Sequence, residues 1–268
     1  MHQLKAAVGM PVHDLLRKTI CALVLLLLTP APAFCTSPQI ELSEPILTLD
    51  DATVHGKVSF GVLAGSDLYN TAGNLGGTFS LGHMNGGMFY FFGDIFTWVH
   101  NPKWDSFEPQ RIIYTLEFGY YWEHGDDGYR LFAKHQSFHD VDMCDGLQES
   151  YELYGASYRR LTRPEFYASL GLYQNRRVVD YRWDLAVAAT FDLPPVWDKQ
   201  TYLHLWLHQV TEKHAPGAGN GFLDNAAEAG IVFDTGVVLF ARYECLHDIN
   251  CFDGITDKHV LAGVRYSW

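Results

Sequence analysis

After its first fifty residues, the chain alternates apolar and polar side chains with a period of two, in runs of about ten residues separated by turn formers. In Arg111–Glu123 one face is Ile112, Tyr114, Leu116, Phe118, Tyr120 and Trp122, and the other is Ile113, Thr115, Glu117, Gly119, Tyr121 and Glu123. Asp184–Asp192 sets Leu185, Val187, Ala189 and Phe191 against Asp184, Ala186, Ala188 and Thr190. His259–Trp268 sets Val260, Ala262, Val264, Tyr266 and Trp268 against Leu261, Gly263, Arg265 and Ser267. Successive side chains of a strand point to opposite faces, so such runs read as strands with one apolar face. A soluble β-sandwich alternates in the same way, and three further features favour a membrane barrel. The runs are long for soluble strands and match tilted membrane-spanning strands of about 9–11 residues. Tyr120, Trp122, Tyr266 and Trp268 cluster at run ends, where interfacial girdles lie. The chain also ends on an apolar face closed by an aromatic residue.

About twelve strands can be placed, near 53–64, 74–83, 87–97, 111–123, 129–139, 149–160, 165–175, 181–192, 201–211, 222–233, 237–246 and 258–268. The expected fold is therefore an all-β, transmembrane antiparallel barrel of about twelve strands. With both ends on the periplasmic side, the even-numbered connections (Asn85-Gly86, His124–Gly128, Leu161–Pro164, Leu193–Gln200 and Asp234–Gly236) are mostly short and the odd-numbered ones mostly longer. That asymmetry is expected of periplasmic turns and outer loops. No internal repeat is evident.

Residues 1–33 read as a secretory signal. Lys5, Arg17 and Lys18 precede the apolar run Thr19–Leu28, and Ala31-Pro32-Ala33 offers a small-x-small cleavage site. The run is too short to span a bilayer, which needs about 20 apolar residues. Cleavage after Ala33 would remove three basic residues and one acidic one, leaving 16 basic and 30 acidic residues and a net charge of −14. A chain so acidic has no basic stripe with which to displace counterions from nucleic-acid phosphates. Residues 34–52 read as a periplasmic lead-in to a barrel over 53–268. Export permits disulfides, with Cys245–Cys251 as a short-loop pair and Cys35–Cys144 as a second possibility.

The segment Arg130–Asp140 carries the most chemistry. His135, Ser137 and His139 share a face with Leu131 and Ala133, while Lys134 and Gln136 share the other with Phe132 and Phe138. The first face reads as lipid-facing, which puts His135 and Ser137 on the outer wall near the extracellular rim. This His-x-Ser pair resembles that of the outer-membrane phospholipase A and lipid A deacylase barrels, in which a residue on the next strand orients the histidine. Glu149, twelve residues beyond Ser137, resembles that third member, and it shares a face with Tyr151 and Leu153 taken as outward. The resemblance implies Ser137 as nucleophile, His135 as general base and Glu149 as its orienter, because a serine hydroxyl needs an adjacent base. It further implies acyl esters of outer-leaflet phospholipid or lipid A as substrates. The closing strand resembles the C-terminal strand through which bacterial outer-membrane barrels engage the assembly machinery.

The same residues admit other readings. They can be rim groups bonding loops or lipopolysaccharide sugars. Asp140, Asp142 and Asp145 are oxygen ligands suited to Ca²⁺, although their spacing is not that of a helix–loop–helix calcium loop. Elsewhere, His204, Trp206 and His208 face the inferred lumen as filling, as do Glu117, Lys134, Asp184, Glu228, Arg242 and Arg265. A barrel without catalysis, either a small solute pore or a structural surface protein, is the alternative to the esterase.

Overall fold

The computed structural model describes residues 54–66, 69–99, 109–140, 148–174, 181–212, 222–247 and 256–268, together with Pro45, Leu47 and Leu49 of the lead-in. The signal segment and the residues between these stretches lie outside the described residues. Twelve strands follow one another: β1 (Val54–Ala64), β2 (Thr71–Met84), β3 (Gly87–Val99), β4 (Pro109–His124), β5 (Asp127–Asp140) and β6 (Gln148–Arg160) form the first half. The second half is β7 (Glu165–Gln174), β8 (Tyr181–Val196), β9 (Lys199–Glu212), β10 (Phe222–Val232), β11 (Val237–His247) and β12 (Thr256–Ser267).

Each strand pairs antiparallel with the next, and β12 pairs with β1, so the sheet closes on itself. Closure removes the open edges that a single apolar-faced sheet would otherwise present. At the seam, Gly56 and Trp268 exchange both backbone hydrogen bonds, at 2.8 and 2.9 Å. A Cβ on Gly56 would lie 2.2 Å from the Trp268 ring, so glycine is what lets the terminal indole lie flat across the seam.

The two faces have opposite chemistry. Phe60, Leu75, Ile95, Leu116, Phe118, Leu131, Leu170, Leu185, Leu205 and Val260 point outward and are exposed. Lys57, Asp94, Glu117, Arg130, Asp184, Glu228, Arg242 and Arg265 point inward and are buried. An apolar exterior around a polar interior is the reverse of a soluble domain and is what a lipid surround demands. An outward aromatic ladder runs across three strands at one rim. Tyr120 stacks on Trp122 with centroids at 5.7 Å, Trp122 on Tyr129 at 5.5 Å, and Tyr129 lies against Tyr158 at 5.6 Å.

That rim also carries both chain ends and the short connections, of two to four residues, while connections of six to nine residues occupy the other. Asn85, Trp197 and Asp198 sit at positive φ in two of the short connections, in positions where glycine or asparagine is favoured. The expected strands thus reappear with small shifts at their ends. Their assigned faces also hold for Arg111–Glu123, Asp184–Asp192 and His259–Trp268.

Candidate functional site

The outer-wall candidate sits on β5, which runs from the short-turn rim to the long-loop rim. Arg130 and Phe132 are buried inside and Leu131 is exposed outside, so odd-numbered positions of this strand face lipid. His135, Ser137 and His139 share that parity and are half-buried in the second half of the strand. Across the sheet, His135 stands between Leu116 of β4 and Glu152 of β6, and Ser137 between Tyr114 and Ser150. The His139 ring meets Tyr114 edge-on at 5.2 Å. Glu152 is in turn paired with Gln174 of β7, whose side chain accepts a hydrogen bond from Tyr154 at 3.1 Å. A polar strip, His135–Glu152–Gln174, therefore crosses three strands on the membrane face, with Ser137 beside it toward the rim.

Glu149 is placed by its backbone alone, its side chain lying outside the described residues. It pairs with Phe138, a position out of phase with His135 and Ser137. Tyr151 and Leu153, which share its parity, were read as outward because they are apolar, yet Leu153 is buried in the lumen. The carboxylate in register with the histidine is Glu152, three residues further on. Directly opposed residues have Cβ atoms about 4.5–5.5 Å apart, which brings Glu152 and His135 within side-chain reach. The signal for Glu152 is its parity with Tyr154 and Ala156, which are exposed on the lipid-facing side.

Among the described residues, no group of three or more His, Cys, Asp or Glu side chains is arranged to hold a metal. Asp142 and Asp145, and the side chain of Asp140, lie outside the described residues, as do Cys35, Cys144 and Cys251. Cys245 is a half-buried free thiol, and the described residues contain no disulfide.

The lumen holds a second constellation, built around carboxylates. Glu117 of β4 meets Arg130 at 3.2 Å and Lys134 at 3.6 Å, and accepts a hydrogen bond from the Tyr90 hydroxyl. Six strands away, Glu228 of β10 meets Arg265 at 2.5 Å and Arg242 at 3.6 Å, and accepts from the Tyr202 hydroxyl. The two clusters occupy corresponding strands, β3–β5 and β9–β11 with β12, so each half of the barrel carries one. In each, the tyrosine lies over a lumenal glycine on the next strand, Gly119 or Gly230, where a Cβ would come within 2.4 Å of the hydroxyl. This likeness between halves, invisible as a sequence repeat, consists of one Glu-x-Gly and one tyrosine per half.

Smaller groups extend the network. Asp94 accepts from Asn74 at 2.7 and 2.8 Å, with Lys57 at 3.9 Å. Asp184 accepts from Tyr173 at 2.6 Å and contacts His208 at 2.9 Å, while His204 contacts Thr190 at 2.9 Å. Glu244 joins Arg242 and His259, both at 2.7 Å. The histidines of β9 are thus held by lumenal partners, as filling requires.

An apolar exterior, an aromatic rim and a charged interior on a closed antiparallel sheet decide the setting. The chain is an integral outer-membrane β-barrel. No family model matches the sequence, and no curated protein matches it. Among solved structures it is similar to Salmonella typhi OmpF, solved in complex with daunomycin, at 9% identity and TM-score 0.44, covering 80% of this chain and 97% of that one. It is similar to the NanC porin at 13% identity and TM-score 0.48, covering 79% and 98%. A mutant porin of Rh. blastica matches at 9% identity and TM-score 0.36, covering 81% and 99%. These likenesses go no further than barrel architecture, and the strand pairing above carries the assignment.

Proposed function

We propose that the barrel is a non-enzymatic pore for small solutes, narrow and closed in the conformation described. The observation that supports this is the two-signed, hydrogen-bonding inner wall formed by Lys57, Asp94, Glu117, Arg130, Asp184, Asp224, Glu228 and Arg242. Side chains alone fill the interior of an eight-stranded barrel, whereas twelve strands enclose a wider bore. A charged wall around such a bore suits hydrated solutes of either sign better than it suits an inert scaffold. The test is single-channel recording with the mature, refolded protein in planar bilayers. Discrete steps that scale with salt concentration are expected, and a record indistinguishable from bare lipid, from protein verified as folded, overturns the reading.

A second reading rests on the register of the outer strip. Ser137 as nucleophile, His135 as base and Glu152 in place of Glu149 as orienter would form an ester-hydrolysing array at the depth of outer-leaflet acyl esters. A polar strip on a lipid-facing wall is costly unless it has a use. Under this reading, hydrolysis of phospholipid or lipid A in mixed micelles, with or without Ca²⁺, is lost in Ser137→Ala. It falls more in Glu152→Gln than in Glu149→Gln. Equal hydrolysis by wild type and Ser137→Ala, or none by either, removes it.

A further inference from the structure

Two clusters of buried apolar side chains interrupt the charged lumen, one around Phe96, Trp98 and Phe240 and one near the short-turn rim. Met88, Tyr90 and Phe92 of β3 and Tyr121 of β4 point inward, touch one another and are almost completely buried. Inward-facing apolar side chains in a polar bore would be bathed in water unless something covered them. What packs on them is Leu47 and Leu49, with Pro45 buried just before. These residues precede β1, which starts the barrel at Val54 on the same rim.

We infer that the segment around Leu47 and Leu49 is an internal plug, docked on the Met88–Tyr90–Phe92–Tyr121 face, whose release opens the bore. This rests on the pore reading and adds its regulation. The occupant is a stretch of the chain itself, covalently tethered a few residues from β1. Its effective concentration at the face is therefore high, and docking needs no large contact. The dock is also coupled to the wall, because Tyr90 both receives the plug and donates to Glu117. Undocking therefore exposes the tyrosine that completes one of the two carboxylate clusters.

Two measurements on the full mature chain test the inference. The first compares single-channel records of wild type and of Leu47→Asp/Leu49→Asp, which places charge against the apolar face without touching a strand. Wild type is expected to open rarely, and the variant to stay open for most of the record. The second reports docking without reference to conduction. In a background with Cys35, Cys144, Cys245 and Cys251 replaced by serine, Leu47→Cys is labelled with a polar maleimide in the folded barrel and in urea. Docking is expected to slow labelling roughly a hundredfold, about 2.8 kcal/mol at 1.4 kcal/mol per tenfold. Equal open times in wild type and variant, with Leu47→Cys labelled as fast as in urea, overturn the plug and leave the pore standing. No conduction from either protein, with Leu47→Cys protected, overturns the pore and the gating together and leaves the segment as a fixed filler.

Discussion

Replacing Glu228 by leucine removes the anion on which two guanidinium groups converge, at nearly unchanged volume. The carboxylate has no exposed surface and sits 2.5 Å from Arg265 and 3.6 Å from Arg242. At an effective dielectric constant of about 20, those separations correspond to gross attractions of about 7 and 5 kcal/mol. Desolvation of three charges offsets much of this, so the intact cluster stabilises the barrel far less than its Coulomb sum. Removing one partner is a different matter, because buried guanidinium groups are then left uncompensated, at a cost of about 3–5 kcal/mol. Arg242 still has Glu244 at 2.7 Å, and Arg265 keeps the Tyr202 hydroxyl at 3.1 Å. Arg265, which makes the shorter of the two contacts with Glu228, accounts for most of the loss. With a urea dependence of about 3 kcal/mol per molar, the unfolding midpoint should fall by about 1–2 M. The assay is urea titration in lipid vesicles, followed by tryptophan fluorescence and by heat-modifiable migration on gels. Adding Arg265→Leu to Glu228→Leu should recover most of the loss, since the uncompensated charge is then gone. Lys199→Ala supplies the control. Its pair with Asp234 is equally short, but the Asp234 side chain is 83% exposed, so the loss should stay below about 1 kcal/mol. A Glu228→Leu midpoint within error of wild type, or a double variant worse than the single, would refute the reasoning.

Gly230→Val should cost about 1–3 kcal/mol, lowering the same midpoint by about 0.3–1 M, because its Cβ would lie 2.4 Å from the Tyr202 hydroxyl and displace it from Glu228. An unchanged midpoint would show that the Tyr202–Gly230 fit is loose. Gly56→Val should lift the Trp268 indole off the seam and slow the appearance of the folded band during refolding into vesicles. Refolding at the wild-type rate would show that β1–β12 backbone pairing alone closes the barrel.

Strand positions and faces were legible in the sequence to an unusual degree because the side-chain period of a strand is two. Leu116, Phe118 and Leu131 had to share a surface, and Glu117, Arg130 and Lys134 had to share the opposite one. Burial added only the demand that the charged surface be the inner one. The tight connections were equally plain at Asn85-Gly86, where local backbone geometry selects the residues. Glu149 shows where that reasoning fails. Parity within a strand is local, but parity between β5 and β6 depends on how many residues the intervening loop consumes. The apolar Tyr151 and Leu153 gave no guide, since a twelve-stranded lumen also buries apolar side chains.

The sequence by itself determined a closed, apolar-coated sheet and its strand count. Both follow from short-range alternation and from the need to satisfy every backbone polar group within lipid. Only the tertiary structure decided that Glu152 opposes His135, that Glu117 and Glu228 anchor matching clusters in the two halves, and that Leu47 and Leu49 lie inside the bore. Each of these depends on register or on distance between residues far apart in the chain, and no local period encodes a contact made across the width of a barrel.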